Sequence, residues 1–179
     1  LVGVIDEKDG VFSVSVRPTL VPQMSLLGSL QEANNGTEIE DEYGVISGLV
    51  APGAGTYPTA DSVIKDLLDI AEDRPMLMPD SAEPLVLSPS QNEVRRYYLR
   101  FSVVDQAGVL AQICNLFWKY NISIAAVIQK EATSQEFVPL VITTHMAREG
   151  DVVAAISEVD KLPFVKAKTQ IIRILAADT

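Results

Sequence analysis

The chain has 179 residues, 47% of them hydrophobic and 21% charged, which is enough to bury a core and close to the size at which one core gives way to two. Fourteen Lys and Arg against twenty-four Asp and Glu give a formal charge of −10. That balance excludes a nucleic-acid partner, which needs clustered basic side chains. No apolar run approaches the roughly 20 residues of a membrane span, and no charged and apolar leader opens the chain, so a cytoplasmic protein is expected with no membrane partner.

In chain order, Leu1 follows no initiator Met and opens directly into the strand pattern Val2-Gly3-Val4-Ile5-Asp6, as though the chain were cut from something longer. Val2 to Asp6 and Phe12 to Arg17 flank Glu7-Lys8-Asp9-Gly10 and read as a hairpin. In its second strand Phe12, Val14 and Val16 alternate with Ser13, Ser15 and Arg17, which predicts an apolar buried face and a polar wet one. Pro18 and Pro22 break the pattern. Asn34-Asn35-Gly36 reads as a turn, and Glu38 to Glu42 as a solvated acidic run.

Tyr43 to Val50 is the next strand candidate, ending in Ala51-Pro52-Gly53-Ala54-Gly55. Pro58-Thr59-Ala60 then opens a helix with Val63, Leu67, Ile70 and Ala71 on one face and Thr59 as its expected N-cap. A strand, a glycine turn and a helix N-terminus make a physical recipe for holding a phosphate or carboxylate. The turn lacks the third glycine and downstream acidic residue of a dinucleotide fingerprint.

Residues Arg74 to Ser90 hold four of the ten prolines, Pro75, Pro79, Pro84 and Pro89, and read as a stiff, extended connection between domains. Beyond it the pattern is strand Tyr97–Val104, a helix carrying Leu110, Ile113, Cys114 and Phe117, strands Ile122–Glu131 and Phe137–His145, a helix carrying Val152, Val153, Ile156 and Val159, and strand Phe164–Leu175. That order predicts an antiparallel sheet with both helices on one face, the ferredoxin-like βαββαβ arrangement. The other face needs a cover or a partner.

Single residues add little chemistry. Cys114 is the only cysteine and His145 the only histidine, so neither a disulfide nor a metal site is expected. Trp118, beside Phe117 and Tyr120, reads as a packing residue or an interface anchor. Arg95, Arg96 and Arg100 read as a solvated basic group.

Two resemblances organise these observations. Val16-Arg17-Pro18-Thr19-Leu20-Val21-Pro22, the turn Pro52 to Gly55, and Pro58-Thr59-Ala60-Asp61-Ser62-Val63 through Asp66-Leu67 and Ile70-Ala71 resemble consecutive blocks of the homoserine dehydrogenase catalytic domain. Asp105-Gln106-Ala107-Gly108-Val109-Leu110 resembles the Asp-x-Pro-Gly-Val-Leu signature of the ACT domain, with Ala107 in place of proline. The expected fold is therefore α+β: a partial catalytic-domain α/β segment at 1–73, a proline-rich linker at 74–93, and a ferredoxin-like ACT regulatory domain at 94–179.

The first resemblance implies a parent enzyme that interconverts L-homoserine and L-aspartate 4-semialdehyde with NAD(P), on the way to threonine and methionine. It implies that Gly55 contacts the cofactor and Gly53 shapes the turn. Catalytic residues are expected upstream of the first matching block, so this chain alone is expected to be inactive, with no cofactor bound. A rival in which two chains complete an active site is the weakest reading, since neither chain carries the family's active-site lysine, and a homoserine oxidation assay decides it.

The second resemblance implies an amino-acid effector, L-threonine, held between two ACT copies in a homo-oligomer. By position, its contacts are Asp105, Gln106, Ala107, Gly108, Val109 and Leu110, with Asn121, Ile122 and Ser123. Asp105 is expected to cap the following helix and Gly108 to let a ligand approach. The alternative is an oligomerisation module that binds no ligand.

Overall fold

A computed structural model of the chain describes residues 1–74, 84–129 and 137–175. In chain order the elements are β1 (Val2–Lys8), β2 (Val11–Arg17), β3 (Thr19–Leu20), α1 (Leu26–Ser29), β4 (Asn34–Glu40), β5 (Ile46–Pro52), α2 (Thr56–Ala71), β6 (Val86–Leu87), a 3-10 turn at Ser90–Asn92, β7 (Val94–Val103), α3 (Val109–Lys119), β8 (Ile124–Gln129), β9 (Val138–Thr144), β10 (Ala147–Arg148), α4 (Glu149–Val159) and β11 (Val165–Ile174). The mixture of strands and helices is the expected α+β class. Two compact units emerge, one from Leu1–Leu20 with Leu85–Asp178 and one from Val21–Pro84. The hairpin at the start of the chain thus packs with the C-terminal half, across the expected boundary at 73. Residues 75–83, within the expected linker, lie outside the described residues.

In the first unit the main sheet runs β3-β11-β7-β9-β8, with β10 also pairing with β7. The pairings β11–β7, β7–β9 and β8–β9 are antiparallel, whereas β3 joins β11 in parallel, Thr19 opposite Arg173. The sequence expectation held four of these strands; β3 escaped it because two residues between prolines carry no periodicity. Alternation on β7 and β9 turns Tyr97, Leu99, Phe101, Val103, Val138, Leu140 and Ile142 to one face, where Ile113 and Phe117 of α3 and Val152, Ala155, Ile156 and Val159 of α4 cover them. Both helices therefore lie on one face. Each fully buried Leu, Ile, Val or Phe here contributes about 1.5–3 kcal/mol. Phe101 and Phe117 meet at 6.3 Å between ring centroids, inside the range of favourable tilted aromatic pairs.

The hairpin β1–β2 turns at Asp9-Gly10, both with positive φ (54° and 77°), as a two-residue turn matched to strand twist requires. Beyond Phe12, which is half-buried as expected, its facing is reversed. Val14 and Val16 are exposed, while Ser13 and Ser15 are half-buried. The reason is chemical: the hairpin meets its unit through polar groups. Ser15 accepts from Arg173 at 2.8 Å and Arg95 pairs with Asp6, which within the hairpin also accepts from the Ser13 hydroxyl at 3.3 Å. Period-2 alternation reports two faces and is silent on which of them meets a partner.

In the second unit, Asn34–Glu40 is a strand and not a turn, while Glu38 to Glu42 are exposed as expected. It pairs antiparallel with β5, Asn34 opposite Pro52 and Glu40 opposite Ile46. The turn lies instead at Asp41–Val45, where the Asp41 carboxylate accepts from the amides of Tyr43 and Val45, both at 2.9 Å. No residue of α2 is buried; Val63, Ile64, Leu67, Leu68 and Ile70 are exposed.

Candidate functional site

At the end of β7 the chain passes through Asp105 to Gly108 into α3. Gly108 is the N-cap of α3 with a left-handed backbone (φ 89°), and nothing lies within 4 Å of the position a Cβ would take. Glycine is required by conformation, not by crowding. Asp105 does not cap the helix: its carboxylate accepts from the Gln129 side chain at 3.4 Å, and α3 has no side-chain cap. Within the first turn Val109 donates to the Gln106 carbonyl at 3.4 Å and Gln112 to that of Gly108 at 3.1 Å. The amides of Leu110 and Ala111 have no acceptor within the helix, as at any helix start. Val109 faces the core, while Asp105 to Gly108 and Leu110 are exposed.

Asn121, Ile122 and Ser123 follow the other end of α3. Asn121 is left-handed (φ 55°), Ile122 is buried and donates to the Phe117 carbonyl at 2.8 Å, and the Ser123 carbonyl accepts from His145 at 2.9 Å. Ten residues of helix at 1.5 Å each separate the two groups by about 15 Å. One chain therefore does not bring Asp105–Leu110 and Asn121–Ser123 together. Along β8 the same separation recurs, because Asp105 meets Gln129 at one end while Ser123 precedes Ile124 at the other.

In the second unit β5 ends at Pro52 and α2 begins at Thr56, with Gly55 (φ 130°) as its N-cap. The helix starts two residues before the expected Pro58, and Thr59 is not the cap; its hydroxyl donates to the Gly55 carbonyl at 2.8 Å. Gly53 donates to Ala33 at 2.7 Å, and a Cβ there would collide with the Asn35 side chain. Gly53 therefore shapes the turn and Gly55 needs its backbone angle. This turn fits a nicotinamide cofactor only as a wall that backbone lets approach closely, since α2 has no side-chain cap and the turn brings no charged group.

A third cluster was not foreseen. Arg173, on β11, has 6% of its side chain exposed and pairs with Glu149, which opens α4; its Nη1 lies 2.9 Å from Glu93. Glu149 also meets Arg17 Nη2 at 3.0 Å. Burial works to lower the Arg173 pKa, but the hydrogen bond it donates to Glu149 and the charges of Glu149 and Glu93 hold it above the ordinary value. Arg17, Glu93, Glu149 and Arg173 come from four separate segments, so spacing carries no signal of them. The Arg95, Arg96, Arg100 group is not simply solvated either: Arg95 is partly buried against Asp6, and Arg96 Nε donates to the Thr144 carbonyl at 3.5 Å. On the helical layer, Lys119 Nζ and the Tyr120 hydroxyl both donate to Glu158 at 2.7 Å, holding its carboxyl below the usual range.

Among the described residues no three His, Cys, Asp or Glu side chains gather as a metal site would need, and no helix is long and apolar enough to cross a membrane. Comparison with known proteins divides the chain in two. Residues 1–68 match the family model of homoserine dehydrogenase and residues 97–164 that of the ACT domain. The chain is 31% identical over 183 residues to a homoserine dehydrogenase of Pseudomonas aeruginosa, covering 96% of this chain and 42% of that protein. It is 29% identical to that of Neisseria gonorrhoeae, covering 97% and 42%. The crystal structure of a homoserine dehydrogenase from Thiobacillus denitrificans superposes with a TM-score of 0.81 at 29% identity, over 97% of this chain and 41% of that one. The chain thus spans about 42% of the length of these curated relatives. Its residues 1–68 belong to the homoserine dehydrogenase family, and its residues 97–164 are an ACT domain.

Proposed function

We propose that this chain is the regulatory portion of an NAD(P)-dependent homoserine dehydrogenase, whose whole form interconverts L-homoserine and L-aspartate 4-semialdehyde, and that it senses L-threonine across two ACT copies. The observation that carries the reading is the turn at Gly108. A left-handed glycine with open space around it sets unclaimed helix amides at the surface, and amides at a helix start attract a carboxylate. The 15 Å gap within one chain fits a shared site. Antiparallel pairing of two copies along β8 sets the Asp105 turn of one copy beside Asn121–Ser123 of the other, since the two groups flank opposite ends of that strand. The exposed Val127 and Ile128 on β8 supply apolar area for such a contact.

Control then reaches residues 1–20 directly. These residues come from the family's catalytic segment and pack in the ACT unit through β3 and β11 and through Arg17 and Ser15. A ligand shifts an equilibrium only by its differential affinity for two arrangements, and this hairpin packs in the same unit as the ACT sheet. The chain alone has no homoserine oxidation activity and retains no cofactor.

Isothermal titration calorimetry with L-threonine, against isoleucine, methionine and serine, tests the reading. Saturable threonine-selective heat that is lost in Gly108→Val supports it. A folded chain that pairs but gives no heat with any of them is an oligomerisation module.

A further inference from the structure

We propose that the first unit carries a second ligand site, in which a small aliphatic α-amino acid inserts as a zwitterion between Arg17 and Glu149. The place is a cavity of about 200 Å³ whose polar lining is Arg17, Tyr97, Glu149 and Arg173. Its apolar lining is Pro18, Val153 and Ile171. The volume lies below the roughly 300–1,000 Å³ of pockets for drug-sized molecules, so a nucleotide is excluded and a short amino acid is accommodated.

Two buried polar groups in that lining have no hydrogen-bond partner among the described residues. They are the Tyr97 hydroxyl, on a side chain 1% exposed, and Arg173 Nε. Buried donors are almost always satisfied, so an orphaned pair on two residues that line one cavity points to a missing polar occupant. Burial first, and the Glu149 charge second, push the Tyr97 phenol up to about 12. It therefore stays protonated at neutral pH and is able to donate to a carboxylate.

The charge pattern selects the occupant. Arg17 keeps 46% of its side chain exposed, and an ion pair between partners in such contact with water contributes little on its own. A zwitterion exchanges that one pair for two, its carboxylate on Arg17 and its ammonium on the Glu149 oxygen that Arg17 releases, with no change in net charge. A simple carboxylate adds an unpaired negative charge beside Glu93 and Glu149. A simple amine leaves Arg17 without a partner. Pro18, Val153 and Ile171 favour a two- to four-carbon aliphatic side chain over a charged one. The site is separate from the Gly108 turn: Tyr97 and Val103 stand six residues apart on β7, about 20 Å.

Amide-resolved NMR titration of the chain locates binding directly, with L-2-aminobutyrate and L-valine as ligands and butyrate and propylamine as controls. The expected result is saturable shifts at Tyr97, Val153 and Ile171 with the amino acids and not with the controls. Tyr97→Phe keeps the packing and removes one donor, so affinity at these amides falls about 3–10-fold. Arg17→Ala lowers it at least tenfold, and the unchanged thermal melt of each variant shows that the fold persists. Absence of saturable shifts at these three amides, butyrate binding as tightly as aminobutyrate, or wild-type affinity in both variants overturns the proposal. None of these outcomes depends on the Gly108 turn, whose shifts appear at Asp105 to Leu110.

Discussion

Replacing Arg173 by Met removes the cation that two buried carboxylates share. Glu93 and Glu149 have 4% and 7% of their side chains exposed and Arg173 has 6%, so water cannot restore what the guanidinium supplied. Breaking a buried pair from one side costs about 3–5 kcal/mol, because an uncompensated charge remains in a poor dielectric. Against a typical total of about 5–15 kcal/mol, that is a large share of the stability of this unit. Trp118, the only tryptophan, lies on α3 and reports unfolding of this unit by fluorescence in urea. The midpoint should fall with the slope unchanged, and amides of β2 should lose protection, since Ser15 also loses its bond to Arg173. The triple variant Arg173→Met, Glu93→Gln, Glu149→Gln removes the stranded charges and should recover more than half of the loss. A loss below about 1 kcal/mol in the single variant, or no recovery in the triple, refutes the reasoning.

Phe101→Ala opens a cavity against Phe117 in a fully buried position, and urea denaturation should show a loss of about 3–5 kcal/mol. Glu158 has its carboxyl held low by its hydrogen bonds from Lys119 and Tyr120, so it stabilises the fold above the ordinary value of 4.5 and stops doing so as pH falls through its folded pKa. Thermal melts of Glu158→Gln and the parent chain should therefore differ at pH 7 and converge as pH falls through the lowered pKa of the Glu158 carboxyl. Gly55→Ala forces a side chain onto a backbone at φ 130° and should destabilise the second unit by about 1–3 kcal/mol, read by hydrogen exchange of α2.

The ferredoxin-like order was readable because β7, β9, α3 and α4 each carry a strong period: Leu99, Phe101, Ile113, Phe117, Val152, Ile156 and Val159 are buried as the spacing selects, whereas Leu110 and Val153 are exposed and Val109 and Ala155 are buried in their place. The glycine turn before α3 was readable from the Asp105 to Leu110 run, but the left-handed backbone of Gly108 and the lack of an Asp105 cap were not. What sequence could not show came from partners. Asn34-Asn35-Gly36 has turn chemistry, yet it is held extended by β5, because ladder pairing outweighs local preference. Ser13 and Ser15 turn inward because Asp6 and Arg173 wait there, and nothing in a strand's own alternation reports that. The charge cluster joins positions 17, 93, 149 and 173, so only the fold assembles it.

The most direct test of a threonine sensor built from two ACT copies is the dimer dissociation constant of this chain, measured by dilution with and without saturating L-threonine. Threonine at about 100 times its dissociation constant stabilises the bound form by about 2.7 kcal/mol per site, which tightens the dimer by about 100-fold for each site filled. The account predicts that tightening in the parent chain and its loss in Gly108→Val. A dimer constant that threonine leaves unchanged, in a sample that binds threonine, contradicts it.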